Sequence, residues 1–396
     1  MEKSISERNI RLYYIISFLD SLVFTLPIII LFLKGVISPV QISFVYGFRY
    51  FIQLISELPT GAIADLLGKK VSLFLSYGCF FLSYFLLPFV HHFWQVLALY
   101  TLLGFASSFL SGAQEALVYD SLLQDKKQES FHKVQVKQNT FFQIGLAVSS
   151  ILGGFMYSLH PSIPFIAFAL CSLLAMFLTT QLIEPFVDSE VFSVKGYVKQ
   201  MKTGSQQLFQ DNKTTILSLL YIAVGGITWT CATYFNAYMF IDIGYSDRMA
   251  GYLQGGLRLL NLLFLNHLFA SSFFTKKRSI LFFPLTMILA LLPGIFLTKL
   301  SALPFIQLSM IAATARWVIL GKYTNEVFAS KYRATAISAL SFGVGIVYVL
   351  LTISSGPIIQ YFGGIRTIYT LLGVLSVVTV LPLSVVYVKK YVKENG

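Results

Sequence analysis

The feature that most constrains this chain is the recurrence, along its whole length, of apolar runs of about 18 residues or more. Each run is long enough to cross the hydrocarbon core of a bilayer, and soluble domains do not carry a series of them. Composition agrees: only 12% of the 396 residues are charged and 56% are hydrophobic, about half the charge of an ordinary soluble domain. The three cysteines, Cys79, Cys171 and Cys231, lie far apart inside apolar runs. They are expected to be small core residues, not a disulfide or metal set. No metal and no cofactor are expected.

Spanning helices are expected at 10–33, 39–64, 71–90, 94–119, 139–159, 163–183, 214–241, 248–273, 279–298, 302–322, 334–361 and 366–388. The first apolar run is too long for a cleaved signal. Twelve spans put both termini on one side. The most polar stretch falls in the middle, so the expected organisation is a six-helix bundle over 1–185, a linker over 186–212 and a second six-helix bundle over 213–396. Within the linker, apolar residues recur at loose helical spacing over 194–209, as in an amphipathic surface helix. The net charge of +12 could suggest nucleic acid, but the positions of the cations argue otherwise. Of the 29 Lys and Arg, 22 fall in alternate loops, four in the loops between them and three inside helices. That asymmetry predicts cytoplasmic termini in the cell membrane and needs no nucleic-acid partner.

One turn carries more pattern than the rest: Glu57-Leu58-Pro59-Thr60-Gly61-Ala62-Ile63-Ala64-Asp65-Leu66-Leu67-Gly68-Lys69-Lys70. Its backbone cannot lie in lipid, so it is expected as a loop of about six residues at the membrane surface. Gly61, Asp65, Gly68, Lys69 and Lys70 fall on a Gly-x-x-x-Asp-Arg/Lys-x-Gly-Arg/Lys-Arg/Lys pattern, while Leu66 departs from it. The stretch resembles the loop between the second and third helices of major facilitator superfamily transporters. Helix five carries Gly145, Ser149, Ser150, Gly153 and Gly154, similar to the Gly-x-x-x-Gly-Pro-x-x-Gly-Gly pattern of antiporter-type members, with Ser149 and Ser150 replacing Gly and Pro. Ordinary small-residue helix packing explains the same residues. In the second half, Thr275-Lys276-Lys277-Arg278 keeps the cations of the opening motif without its glycines or acid. The family implies an all-α integral membrane fold of two six-helix bundles that rock about a site near mid-membrane. In that scheme Asp65 would cap or pair at a neighbouring helix end, Gly61 would permit close helix approach and Gly68 a tight turn.

Ionisable residues within spans are costly and usually face a cavity or a partner. Asp20 lies roughly 14 Å into helix one, and Arg49 is deep in helix two with Asp20 as its expected partner. Glu57, two turns on from Arg49, lies about 12 Å away along the same face and cannot pair with it directly. Glu115 and Asp120 lie near the cytoplasmic end of helix four, and Arg258 and Arg316 are deep in helices eight and ten. Asp20, Arg49, Glu115, Arg258 and Arg316 are the candidates for proton coupling or substrate contact. Glu57, Gly61, Asp65, Gly68, Lys69, Lys70 and Asp120 are the candidates for a cytoplasmic gate. Gly145, Gly153 and Gly154 are the helix-five packing candidates. His267 reads as a packed side chain. Tyr234, Phe235, Asn236 and Tyr238 could line a pocket, though aromatics at this density usually pack. The Arg that drug-exporting relatives carry on helix four is missing from Tyr100-Thr101-Leu102-Leu103-Gly104, which leaves Asp20 as the first alternative for coupling.

An enzyme is not expected, because no Gly-x-Ser-x-Gly or His-Glu-x-x-His occurs. A phosphate-cradling loop is absent too, which argues against ATP-driven transport. The expectation is a monomeric secondary transporter in contact with membrane lipid. It would export a small amphipathic molecule in exchange for protons, a multidrug or metabolite efflux function. The alternatives are proton-coupled import of a polar nutrient and narrow export of a metal-chelating metabolite.

Overall fold

The computed structural model describes residues 4–185, 194–269, 275–328 and 333–392. Among these residues there are helices, turns and no strands. The first half contains α1 (Ile5–Ser21), α2 (Ile29–Lys34), α3 (Pro39–Leu67), α4 (Lys69–Leu86), α5 (Phe93–Leu110), α6 (Ala113–Gln124), α7 (Phe131–Leu159) and α8 (Ile163–Thr179). The second contains α9 (Val194–Leu208), α10 (Asn212–Thr230), α11 (Asn236–Asp242), α12 (Asp247–Phe269), α13 (Lys276–Leu291), α14 (Ala302–Val327), α15 (Arg333–Tyr361), α16 (Gly364–Leu375) and α17 (Leu381–Tyr391). Among the described residues, eight helical segments are long and apolar enough to cross a membrane on length and composition, and α8 is a shorter apolar helix.

Several of the expected spans are interrupted. The first breaks after Ser21 and resumes at Ile29. Pro27 accounts for this: it offers no N–H, its ring clashes with the preceding turn, and it biases Leu26 away from helix. The gap is closed by short turns such as Leu26 N to Val23 O and Ile28 N to Thr25 O. The fourth span breaks between α5 and α6, where Gly112 adopts φ 74°. In the seventh and twelfth, π-helical turns over Cys231–Phe235 and Ser376–Val380 separate α10 from α11 and α16 from α17. Conversely, the six-residue loop expected after helix two is nearly absent. α3 runs to Leu67, and Gly68 alone, at φ 96°, makes the turn into α4.

The residues form two compact units. One lies within Met1–Ile37, Phe48–Val194 and Asp247–Leu259, the other within Ser38–Gly47, Lys195–Ser246 and Leu260–Gly396. In the first, α4 packs on α5 and α8, and α1 on α7. In the second, α10 packs on α15 and α13 on α14. Residues 186–193 of the expected linker lie outside the described residues, as does the side chain of His267. From Val194 onward the linker is helical, and Gly204 of α9 lies so close to α15 that a Cβ there would sit 2.5 Å from Thr335 O.

The start of α10 is fixed by Asp211, whose Oδ1 accepts from Thr214 N at 2.9 Å and whose Oδ2 accepts from the Thr214 hydroxyl at 2.8 Å. These bonds, the backbone one first, hold the Asp211 carboxyl below the usual carboxylate range. Its contribution is therefore present at neutral pH and lost as pH falls through the lowered pKa. Asp211→Ala is expected to cost about 1 kcal/mol, measured as a lower thermal midpoint in detergent. An unchanged midpoint would show that the cap adds nothing.

Candidate functional site

At the end of the first unit that holds the α3–α4 turn, charges and helix ends interlock. The Lys69 ammonium meets Asp120 at 2.5 Å, both side chains largely covered. Glu184, just past α8, accepts from the backbone N–H groups of Lys69 and Lys70, each at 2.8 Å. These amides open α4 and have no partner within the helix, and the helix dipole favours an anion there. Gly68 makes room for this bond, since a Cβ on it would come within 3.0 Å of the Glu184 carboxyl carbon. Asp65 is exposed and forms no hydrogen bond or ion pair among the described residues; the amides an acid could cap are taken by Glu184. A Cβ at Gly61 would meet nothing within 4 Å, so no close helix approach depends on it. Glu57 is half-buried and has no cation within 4 Å among the described residues. Glu184→Ala is expected to speed amide exchange at Lys69 and Lys70 about tenfold. Exchange at the wild-type rate would show that the cap does not hold the turn.

Deeper in the same unit, Asp20 occupies the last turn of α1, one residue before the break. It is half-buried, and Tyr77 and Tyr84 of α4 both lie within its electrostatic range. The expected Asp20–Arg49 ion pair does not form. Arg49 instead donates to Ser107 Oγ on α5 at 3.1 Å. The reason is close packing of α3 on α5 at Gly104, where a Cβ would sit 2.7 Å from Arg49 O. Arg49 also lies in electrostatic range of Tyr84, so one tyrosine senses both charges. Nearby, Gln114 donates to Ser17 Oγ at 3.3 Å. Glu115 lies in the first turn of α6, where the helix dipole favours an acid, and in electrostatic range of Tyr13, whose hydroxyl donates to Gln135 Oε1 at 3.0 Å. Arg258 of α12 is half-buried, and its Nε has no hydrogen-bond partner among the described residues.

The glycines of α7 are contact points. A Cβ at Gly145 would lie 1.8 Å from Ser21 Oγ, and one at Gly153 2.0 Å from Phe24 O, so both clear space for the broken first span. Gly154 faces α12, where a Cβ would meet Asp247 O at 2.5 Å. Ser149 is buried, and its single hydroxyl proton is shared between Leu146 O at 3.1 Å in its own helix and Ser21 O at 3.2 Å, a carbonyl that also accepts from Val23 N at 2.8 Å.

Arg316 belongs to the second unit. It is 2% exposed, with its guanidinium carbon 5.0 Å from the Tyr221 ring centre and 4.1 Å from that of Trp317. Gly225 leaves space for it: a Cβ there would sit 2.9 Å from its terminal nitrogen. Tyr234, Phe235 and Tyr238 are buried, with the Tyr234 ring centre 4.7 Å from Tyr46 in a tilted pair and 5.5 Å from Tyr238 edge-on. Asn236 accepts from the Tyr369 hydroxyl and from Ser309 Oγ.

A family model described as Major Facilitator Superfamily matches residues 13–315, most of the chain. The chain belongs to the major facilitator superfamily. Among curated relatives, an uncharacterised MFS-type transporter, YxaM of Bacillus subtilis (strain 168), is 25% identical over 251 residues, 58% of this chain and 61% of that protein. The match thus spans less than two thirds of the relative's length. Among solved structures, the nucleoside transporter NupG superposes with a TM-score of 0.72 at 16% identity, over 98% of this chain and all of that one. The POT family transporter PepTSo superposes with a TM-score of 0.75 at 10% identity, over 99% of each chain. At these identities the likeness is one of fold. Superfamily membership and the apolar helical segments are those of a multi-pass membrane protein.

Sequence reasoning missed Glu184, Ser107 and the two tyrosines beside Asp20. For Glu184 a signal existed: an acid followed by Pro185 directly after an apolar run, facing the lysine-rich loops. Ser107 and the tyrosines carry no such mark, being ordinary residues of apolar helices.

Proposed function

We propose that the protein is a proton-coupled exporter of small amphipathic molecules, working by alternating access across the cytoplasmic membrane with both termini cytoplasmic. The observation that carries the reading is Asp20: an acid at the interrupted end of a spanning helix, with no cation within 4 Å among the described residues. Interrupted helices are where transporters of this architecture hold ligands and ions, and an intramembrane acid is a natural proton carrier. Rocking of the bundles changes the water and charge around Asp20, which ties proton exchange to conformation. Tyr84 would report the state of Asp20 to Arg49, since it lies in electrostatic range of both. Glu184 and the Lys69–Asp120 pair would hold one end of the first bundle closed in one state and release it in the other. Arg258 and Arg316 supply deep positive charge suited to an anionic or zwitterionic part of the cargo.

The test is accumulation of a fluorescent amphipathic dye in everted vesicles. Uptake that requires an imposed proton gradient supports proton-coupled export; gradient-independent equilibration overturns it. Import of a polar nutrient is a second reading, favoured by buried amides of the second unit. Asn261 donates to Thr314 Oγ1 at 2.9 Å, and both amide atoms of Gln307 are buried without a partner among the described residues. Uptake of a polar solute into right-side-out vesicles, with no dye movement in everted ones, would select it.

A further inference from the structure

The outer face of the first unit carries an apolar groove of about 440 Å³ between α4 and α8, lined among others by Phe74, Leu170, Leu174, Phe177 and Thr180. The helices meet closely at Gly78, where a Cβ would lie 3.3 Å from Met176 Sδ, and the exposed rings of Phe74 and Phe177 stand beside the groove. Apolar surface facing a bilayer needs no special occupant, because lipid chains are as apolar as leucine. What distinguishes this groove is the charge at one end. Lys70 lies one turn before Phe74 on the same face of α4. Its neighbour Lys69 is engaged by Asp120, and the Glu184 carboxylate is held by backbone amides. The Lys70 ammonium has no carboxylate within 4 Å among the described residues. On the α8 side, Arg8 Nε donates to Gln181 O at 3.1 Å, which fixes a guanidinium one residue beyond Thr180. The slot thus has Lys70 one turn before its lining residue Phe74 and Arg8 bonded one residue beyond its lining residue Thr180.

We propose that this groove is a binding site for an anionic phospholipid, with one acyl chain along Leu170, Leu174 and Phe177 and the phosphate between Lys70 and Arg8. Cations between helices at a membrane surface are the usual means of selecting anionic headgroups, and the planar guanidinium can grip a phosphate with two N–H groups. The site also joins lipid to the gate. Lys70 N is one of the two amides capped by Glu184, so a bound headgroup adds negative charge beside that cap. The inference rests on membership of a membrane-embedded family and on the groove, and not on Asp20 or the direction of transport.

The test is photo-crosslinking of the full chain in phosphatidylcholine vesicles doped with a phosphatidylglycerol probe carrying a photoreactive acyl chain, with the matching phosphatidylcholine probe as comparison. The expected result is preferential labelling of 170–180 by the phosphatidylglycerol probe, reduced about fivefold in each of Lys70→Gln and Arg8→Gln. Leu174→Trp, which fills the slot, is expected to reduce labelling while keeping both cations. Equal labelling by the two probes in the wild-type protein would overturn the proposal, as would full labelling after both cations are removed. Because wild type alone gives the first comparison, misfolding of a variant leaves a decisive result. Loss of proton coupling in transport assays would leave this result unaffected, so the two readings fail separately.

Discussion

Gly153→Val is expected to abolish transport and to lower the yield of folded protein. The Cβ it adds would sit 2.0 Å from Phe24 O and 2.9 Å from Phe24 C, which are backbone atoms. Backbone cannot swing aside as a side chain can, so either α7 moves off the broken first span or the Ser21–Ile28 turn is remodelled. Overpacking of a well-packed core costs about 1–3 kcal/mol when side chains can adjust, and this site should exceed that range. Gly145→Ala provides the control. Its nearest atom is Ser21 Oγ, a hydroxyl that can rotate away, so its effect should be clearly smaller. Thermal midpoints and size-exclusion profiles in detergent check both. A Gly153→Val protein with wild-type midpoint and transport would show that the close contact is not needed.

The second large effect is on coupling. Asp20→Asn keeps the size of the side chain and removes its ability to exchange a proton. If Asp20 carries the coupled proton, substrate affinity in the wild type shifts with pH, and by linkage proton affinity shifts equally with substrate. The variant should keep substrate binding and lose the pH dependence, a change of about tenfold across the titration. Asp20→Glu should retain it in part. A variant whose binding follows pH as the wild type does would remove Asp20 from the coupling path.

The helical, membrane-spanning class was legible because it follows from long apolar runs, and the family because it follows from the Gly68-Lys69-Lys70 turn. What was not legible depended on packing in three dimensions. Pro27 was visible, but a proline in a spanning segment can be absorbed as a kink. Here the glycines of α7 clear the space in which the chain opens at Ser21. The Asp20–Arg49 pair looked natural from two charges in adjacent helices. It fails because Gly104 brings α5 close enough for Ser107 to take the guanidinium. The acid at the α3–α4 turn was sought within the motif at Asp65, whereas the α4 amides bond Glu184, more than a hundred residues later.

The most direct measurement is proton movement itself. Reconstituted proteoliposomes with a trapped pH indicator would receive an outward or inward gradient of an amphipathic dye, with no proton gradient imposed. The account predicts that dye flux drives protons the opposite way in the wild type and that Asp20→Asn, folded and dye-binding, moves none. Proton flux of wild-type size in Asp20→Asn would contradict it.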